Sequence, residues 1–341
     1  MSARADEPLT HNPANGVTAA VWRRGPVLHK VLTRRRPAPP YWAASDDPRH
    51  WNYWKREALV YRTGLPRRLG LSAPRLLEVV ESPDGDLELR LENVTGRHGA
   101  ALTIEDLESA AGALGRAQGR ADLPNEEWFS QQFLRAYSTT RPVEWALIGA
   151  DEAWARPLMA EHFGASLREA LVQLHRDRDR LLSLMENLPR TICHLDVWPN
   201  NLICRPDGDV VFLDWAFVGD GALGEDIGNL VPDSVFDLHV PHELLGELDE
   251  RLTNAYLQGL REAGWTGDAR LVRLGICASA VKYDWLTASC LEHAGADQHL
   301  DYGREASVDA GARYAARAAG LALCARWAEE AEELAGTLSL A

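Results

Sequence analysis

The sequence predicts an α+β fold of two lobes, a β-rich lobe over residues 1–94 and a mostly helical lobe over residues 95–341. Three observations predict it. Before residue 94, short apolar runs come in two pairs, each pair joined by a turn. After Gly96 the apolar residues recur three and four positions apart, the spacing of amphipathic helices. The chain has 341 residues, enough for one large domain or two smaller ones around a substantial core.

In order along the chain, VTAAVWR, the turn Arg24-Gly25-Pro26 and VLHKVL make a first hairpin. A Pro-rich loop, RRRPAPPYWAASDD, follows. The stretch DDPRHWNYWKREALVYRTG carries helix punctuation: Asp46 or Asp47 can cap its start, Pro48 suits the first turn and Gly64 the stop. PRLLEVV, the turn Ser82-Pro83-Asp84-Gly85 and DLELRLENV make a second hairpin, ending near residue 94. In the second lobe the expected helices are IEDLESAAGALGRAQ, ASLREALVQLHRDRDRLLSLMENL, HELLGELDERLTNAYLQGLREAG and the Ala-rich stretch from about 304 to 337. LICRPDGDVVFLD is the one strong strand signal there, a hairpin turning at Asp207-Gly208. The mouth between two lobes is a common place for a small-molecule site.

Composition narrows the partners. The formal net charge of -14 repels nucleic-acid backbones and anionic membranes, so neither is an expected partner. It favours cationic small molecules, although acidity also serves solubility. The cysteines are Cys193, Cys204, Cys277, Cys290 and Cys324. Their odd number and the lack of a C-x-x-C spacing argue against a disulfide framework or a zinc site, and a reducing cytoplasm is the expected setting. The start, MSARADEPLTHNPANG, is too polar for a secretory signal, and no apolar run is long enough to span a bilayer.

Residues 194–201 read HLDVWPNN, a cluster of polar groups directly before the hairpin. If LIC (202–204) and VVFLD (210–214) pair in antiparallel fashion, Asn201 faces Asp214 at the open end, with Asp196 on the loop just before. Two hard oxygen ligands beside a third carboxylate suit a Mg²⁺–phosphate site.

HLDVWPNN with Asp214 resembles the H-x-D-x-x-x-x-N loop and metal-binding Asp of the kinase fold. It is similar, more closely, to the aminoglycoside phosphotransferase family, whose loop commonly reads H-G-D-x-H-x-x-N and whose metal Asp is usually followed by an aromatic or apolar residue, here Trp215. The resemblance implies a bilobal protein-kinase-like fold. It implies that Asp196 is the catalytic Asp, that Asn201 and Asp214 hold Mg²⁺ on the nucleotide phosphates, and that His194 braces the loop. Taken alone, His194 also reads as a satisfied core histidine. Asp226, in LGEDIGNL, matches a family Asp that buttresses this loop, or is simply an acid at a helix N-terminus.

Lys30 adds a second line. It is one of three lysines, with Lys55 and Lys282, among 36 basic residues, and it lies inside an apolar strand where a charge costs energy unless paired. In the kinase fold such a Lys holds the α/β-phosphates and pairs with a helix Glu, and Glu57 is the only acid in WNYWKREALVY. An edge-strand Lys that blocks aggregation is the plainer alternative. The crossover LRLENVTG resembles the family hinge, which implies that the backbone of Glu92 and Val94 binds the adenine edge.

The sequence also departs from the family. Leu195 stands where Gly is usual and Trp198 where His is usual; Trp198 either shapes the acceptor pocket or packs. ANGVTAA has one glycine and no G-x-G-x-x-G, and there is no D-F-G, A-P-E or G-x-x-x-x-G-K-[ST], which argues against a protein kinase or a P-loop kinase. Trp42, Trp51 and Trp54 form an aromatic cage for a quaternary ammonium or, at three-residue spacing on a helix, pack on the strands.

The function implied is ATP-dependent transfer of the γ-phosphoryl group to a hydroxyl of a small molecule, with a cationic, aminoglycoside-like antibiotic as the expected acceptor. GTP in place of ATP stays open. The alternatives are a metabolic kinase of the choline, homoserine or sugar type, and a nucleotide-binding pseudokinase; the intact set Lys30, Asp196, Asn201 and Asp214 weighs against the last. Asp220, Glu225, Asp233, Asp237 and Glu292 either line a pocket that attracts amines or form a solvated acidic surface.

Overall fold

A computed structural model describes residues 6–294 and 309–340. The N-terminal part is built on strands β1 (Glu7–Pro8), β2 (Thr18–Arg24) and β3 (Val27–Leu32), helices α1 (Arg56–Thr63) and α2 (Leu65–Leu69), and strands β4 (Leu76–Glu81) and β5 (Leu87–Glu92). The strands form one antiparallel sheet in the order β1-β2-β3-β5-β4. Both expected hairpins are present, and β1 is an additional edge strand. Leu87, Leu89 and Leu91 alternate along β5 and are buried with Leu32 against Trp54, Ala58, Val60 and Tyr61.

The helix expected from Asp46 or Asp47 starts only at Arg56. Asp47 Oδ1 accepts from Arg49 N at 2.9 Å and Asp46 Oδ1 from Trp54 Nε1 at 2.9 Å, so both are turn residues and not caps. The cause is Arg56. Its guanidinium takes the carbonyls of Pro48 (2.8 Å), His50 (2.7 Å) and Trp51 (2.7 Å), the acceptors a helix through this stretch would need. The stop is where the sequence places it: Gly64 caps α1 with a left-handed φ of 62°.

The C-terminal part begins with β6 (Arg97–His98) and α3 (Ile104–Gln118), whose N-terminus carries a capping box between Thr103 and Asp106. Then come α4 (Phe133–Thr139), α5 (Asp151–Trp154), α6 (Pro157–His162) and the long α7 (Ala165–Asn187). Strands β7 (Arg190–Cys193), β8 (Leu202–Cys204), β9 (Val210–Phe212) and β10 (Gly219–Ala222) follow, and then α8 (Glu225–Phe236), α9 (Leu245–Glu262), α10 (Ala269–Ala278), α11 (Asp284–His293) and α12 (Ala310–Thr337). Of the stretch expected to be helical from about 304, residues 304–308 lie outside the described residues.

The expected β8–β9 hairpin forms, and β6 joins it. A second antiparallel pair, β7 with β10, escaped the sequence because it is short and contains Gly219 and Gly221. It matters for the site: β7 ends one residue before His194, and β10 starts just past the turn that follows Asp214. The glycine is required, since a Cβ on Gly219 would sit 2.4 Å from Ser130 N. One apolar core runs from Leu32 and Leu89 through Leu202 and Phe212 to Leu321 and Trp327. Among the described residues no helix is long and apolar enough to cross a membrane.

Candidate active site

The loop 194–201 is clamped from below by one carboxylate. Asp226, at the start of α8 and fully buried, accepts from the backbone N–H of His194 on Oδ2 (2.9 Å) and of Leu195 on Oδ1 (2.8 Å). Its Oδ2 also accepts from Gln118 Nε2 at 2.7 Å, and Tyr256 OH donates to Gln118 Oε1 at 2.5 Å. Helices α3 and α9 therefore set the clamp; they approach so closely that a Cβ on Gly115 would lie 2.2 Å from Tyr256 O. Two consecutive N–H groups reach one carboxylate because Leu195 is left-handed, φ 68°. Glycine adopts that φ without strain. Leu195 is strained there but buries its side chain with Trp51, Phe133 and Phe217.

His194 has its tautomer fixed by its partners. Nε2 meets the Leu213 carbonyl at 2.9 Å and so carries the hydrogen, while Nδ1 accepts from Asp196 N at 3.3 Å. Burial lowers its pKa, against the pull of Asp226 and Asp214. The ring is a neutral brace that presents no free nitrogen to a reacting group.

Asn201 donates its amide to Asp196 twice, to the carbonyl O at 2.9 Å and to Oδ2 at 2.8 Å, so its amide oxygen is not the atom those bonds engage and could face a cation. The expected facing of Asn201 and Asp214 is off by one. The ladder pairs Leu202 with Phe212, and Leu213 N donates to Asn201 O at 2.8 Å, so Leu213 is opposite Asn201. Asp214 leaves the strand at a left-handed φ of 52° and turns its carboxylate to Lys30 Nζ at 2.9 Å. Burial pushes the pKa of Asp214 up but the Lys30 ammonium outweighs it, and the carboxylate stays ionised. Among the described residues no ammonium forms an ion pair with Asp196. Burial, with Asp214 adding to it, pushes its pKa up to about 7 against the pull of Lys282.

Lys30 is in the middle of the sheet, paired with Val21 on β2 and Leu89 on β5, which removes the edge-strand alternative. Its ammonium forms an ion pair with Glu57 Oε2 at 2.7 Å, without hydrogen-bond alignment, besides its bond to Asp214. Burial would depress the Lys30 pKa; the two carboxylates, Asp214 first, raise it instead. Glu57 goes the other way: burial raises its pKa more than Lys30 lowers it. Lys30, Glu57 and Asp214 are thus one contact set, Asn201 and Asp196 are a second, and the Asp214 charge acts on Asp196 between them. Among the described residues no three His, Cys, Asp or Glu side chains cluster as a metal cage. The donors present, one amide oxygen and one carboxylate, fit Mg²⁺, which takes few protein oxygens and completes its shell with phosphate and water. At the crossover, Glu92 N donates to Arg75 O at 2.9 Å and its side chain meets Arg205 Nη2 at 3.1 Å, while Val94 lies in the link after β5.

Residues 21–266, well over half of the chain, match the model of the APH phosphotransferase enzyme family. The chain belongs to this family. Its fold is similar to that of "Amicoumacin kinase hAmiN in complex with AMP-PNP, Ca2+ and Ami", at 15% identity and a TM-score of 0.52 over 96% of this chain and 88% of that one. That likeness shows the protein-kinase-like fold. Also similar are aminoglycoside phosphotransferase APH(3'')-Id from Streptomyces rimosus (19% identity, TM-score 0.47, 82% of this chain and 93% of that one) and choline kinase LicA from Streptococcus pneumoniae (15%, 0.46, 93% and 94%). No curated protein is matched by the sequence.

In this phosphotransferase three of the five acids read as either an amine pocket or a solvated acidic surface are engaged by other groups of the chain. Asp220 pairs with Arg190 (3.0 Å), Asp237 with Arg313 (3.7 Å), and Glu225 turns inward to Ala222 N (2.9 Å); Glu292 is an exposed residue of α11. Only Asp233 acts on Asp196, and it lies 3.7 Å from Lys282 Nζ. The Trp cage is also not formed: Trp54 belongs to the main core, while Trp51, with Trp42 packed on it, belongs to the small cluster around Leu195. Trp198 is half-buried and edge-on to His239, ring centroids 5.8 Å apart. Two residues with no signal in the sequence stand out. Arg56 is fully buried and, besides the three carbonyls above, holds those of Trp128 (2.8 Å) and Ala216 (3.1 Å), two residues past Asp214. Lys282, visible in the sequence only as a rare lysine, is buried beside Asp196.

Proposed function

We propose that the chain is an ATP-dependent small-molecule kinase that moves the γ-phosphoryl group onto a hydroxyl. The observation that carries this reading is the junction of Lys30 from the sheet with Asp214 from the helical part, 2.9 Å apart, next to the loop that bears Asp196 and Asn201. Lys30 would hold the α/β-phosphates, with Glu57 positioning it. The backbone of Glu92 and Val94 would receive the adenine edge, and GTP is the alternative there. The lobe division at 94/95 belongs to the same reading. Asn201 and Asp214 would hold Mg²⁺, which when bound offsets charge on the phosphates. Asp196 orients the acceptor hydroxyl and takes its proton; a pKa near 7 suits a group that accepts a proton at neutral pH. His194 and Asp226 keep that carboxylate in place. The amicoumacin kinase neighbour is named for a small molecule, which supports an acceptor of that size.

The test is a two-step measurement. Mg²⁺ with ATP should raise the melting temperature, and a panel of hydroxyl compounds should then be read by mass spectrometry for a phosphate gain. With the acceptor found, Asp196→Asn should lower turnover by about 10²–10⁴-fold and keep the thermal response to nucleotide. Near-normal turnover in that variant would remove Asp196 from its role.

A further inference from the structure

We infer that the acceptor is an anionic hydroxyl compound with a flat apolar body, received beside Asp196 on a shelf made by Tyr137, Arg141, Lys282 and Trp285. The inference rests on the kinase reading above and gives its acceptor a chemical class.

The first support is lysine usage. Only three of the 36 basic residues are lysines. Lys55 lies over the Trp54 ring at the surface, and Lys30 belongs to the set described above. Lys282 is the third, on the single turn Ser279–Tyr283 between α10 and α11, and only 4% exposed. A lysine presents a compact point charge where an arginine presents a planar fork. Its neighbour Asp233 is 3.7 Å away, beyond hydrogen-bond distance, so the ammonium is held loosely enough to take another oxygen.

The second support is where the aromatic faces point. The Arg141 guanidinium lies 4.0 Å from the Tyr137 ring centroid, 4.2 Å from that of Trp285, 4.9 Å from that of Tyr41 and 5.4 Å from that of Trp42. Lys282 Nζ lies 5.6 Å from the same Tyr137 ring. The faces that would hold a quaternary ammonium already carry a cation. Arg141 and Lys282 both act on Asp233, and Lys282 on Asp196, so cations already answer the carboxylates that would draw a polycation. Asp196 and Asp233 also both act on Tyr283, the residue after Lys282, which ties the shelf to the catalytic loop.

The third support is an unused donor. Trp285 Nε1 is buried and has no hydrogen-bond partner among the described residues, an arrangement a bound oxygen would satisfy. A carboxylate set between Lys282 and Trp285 Nε1, with its flat body along the Tyr137 ring, uses every one of these groups and leaves Asp196 for the hydroxyl.

The experiment compares two probes of one shape, 4-(hydroxymethyl)benzoate and 4-(hydroxymethyl)benzylamine, with streptomycin as the polycation, each with Mg²⁺ and ATP. The benzoate should be phosphorylated with a KM at least tenfold below that of the amine. Lys282→Met should raise the benzoate KM about tenfold, leave the ATP KM unchanged and erase the preference, and Lys282→Arg should recover part of it. Trp285→Phe, which removes only the N–H and a ring, gives the same comparison should Lys282→Met fail to fold. Preference for the amine or streptomycin overturns the inference. So does a benzoate-to-amine ratio that the variants do not change, or the absence of product from all three probes in a protein that Mg²⁺ and ATP still stabilise. The kinase reading itself fails separately, through the absence of any stabilisation by Mg²⁺ and ATP.

Discussion

Glu225 shows what one buried group costs this molecule. Its carboxyl is 3% exposed, and burial pushes its pKa from 4.5 up to about 7 although Ala222 N–H donates to it at 2.9 Å. The folded chain therefore binds the proton more tightly than the unfolded chain. The stability this supplies is complete below about pH 4.5 and is lost as the pH climbs through about 7. Glu225→Gln keeps an acceptor for the same N–H and removes the charge. It should be more stable than the wild type at pH 8 by about 2–3 kcal/mol, and the two should converge by about pH 4.5. Calorimetry at both pH values checks this; equal melting temperatures at pH 8 would refute it. Residues with a fixed chemical spacing were legible at this scale: Asp196, Asn201 and Asp214 follow from HLDVWPNN and the hairpin, and Lys30 from a charge inside an apolar strand. Lys282 was not, because nothing in VKYDW distinguishes a lysine that is buried near Asp196 from one that faces water.

Among the elements, the stretch before α1 is the one held by a single side chain. Arg56 joins carbonyls of residues 48, 50 and 51 to those of Trp128 and Ala216, and so fastens the turn after Asp214 to the N-terminal part. Arg56→Met fills the volume but takes the guanidinium from five carbonyls, of which those of Trp128 and Trp51 are in buried hydrogen bonds. It should cost about 3–5 kcal/mol, read as a fall in the denaturant midpoint. An unchanged midpoint would mean that water replaces the guanidinium at no cost. The sequence misleads here for a physical reason: WNYWKREALVY has helical spacing, and only the third dimension reveals that Arg56 competes for the acceptors the first turns would need. Amphipathic elements with a clear polar face, such as α3, α7 and α9, were readable almost to the residue. The β7–β10 pair was not, since its glycines are there for the close approach of Ser130 and carry no strand signature.

For the whole molecule, the decisive contact is the one that crosses from sheet to helices, Lys30 with Asp214. If Asp214 holds Mg²⁺, Asp214→Ala should lose the Mg²⁺-dependent part of the stabilisation by ATP, which for the wild type amounts to about 2.7 kcal/mol at a hundredfold excess over Kd. Thermal unfolding with ATP, with and without Mg²⁺, measures it; a full Mg²⁺ response in the variant would rule the assignment out. The Asp226 clamp has a different consequence. The amide hydrogens of His194 and Leu195 belong to a loop, yet they point into a carboxylate that α3, α8 and α9 enclose together. No local fraying can release them, because releasing them requires those helices to part. In deuterated water they should exchange as slowly as the core strands, so that the loop that bears Asp196 and Asn201 reports the global opening of the chain.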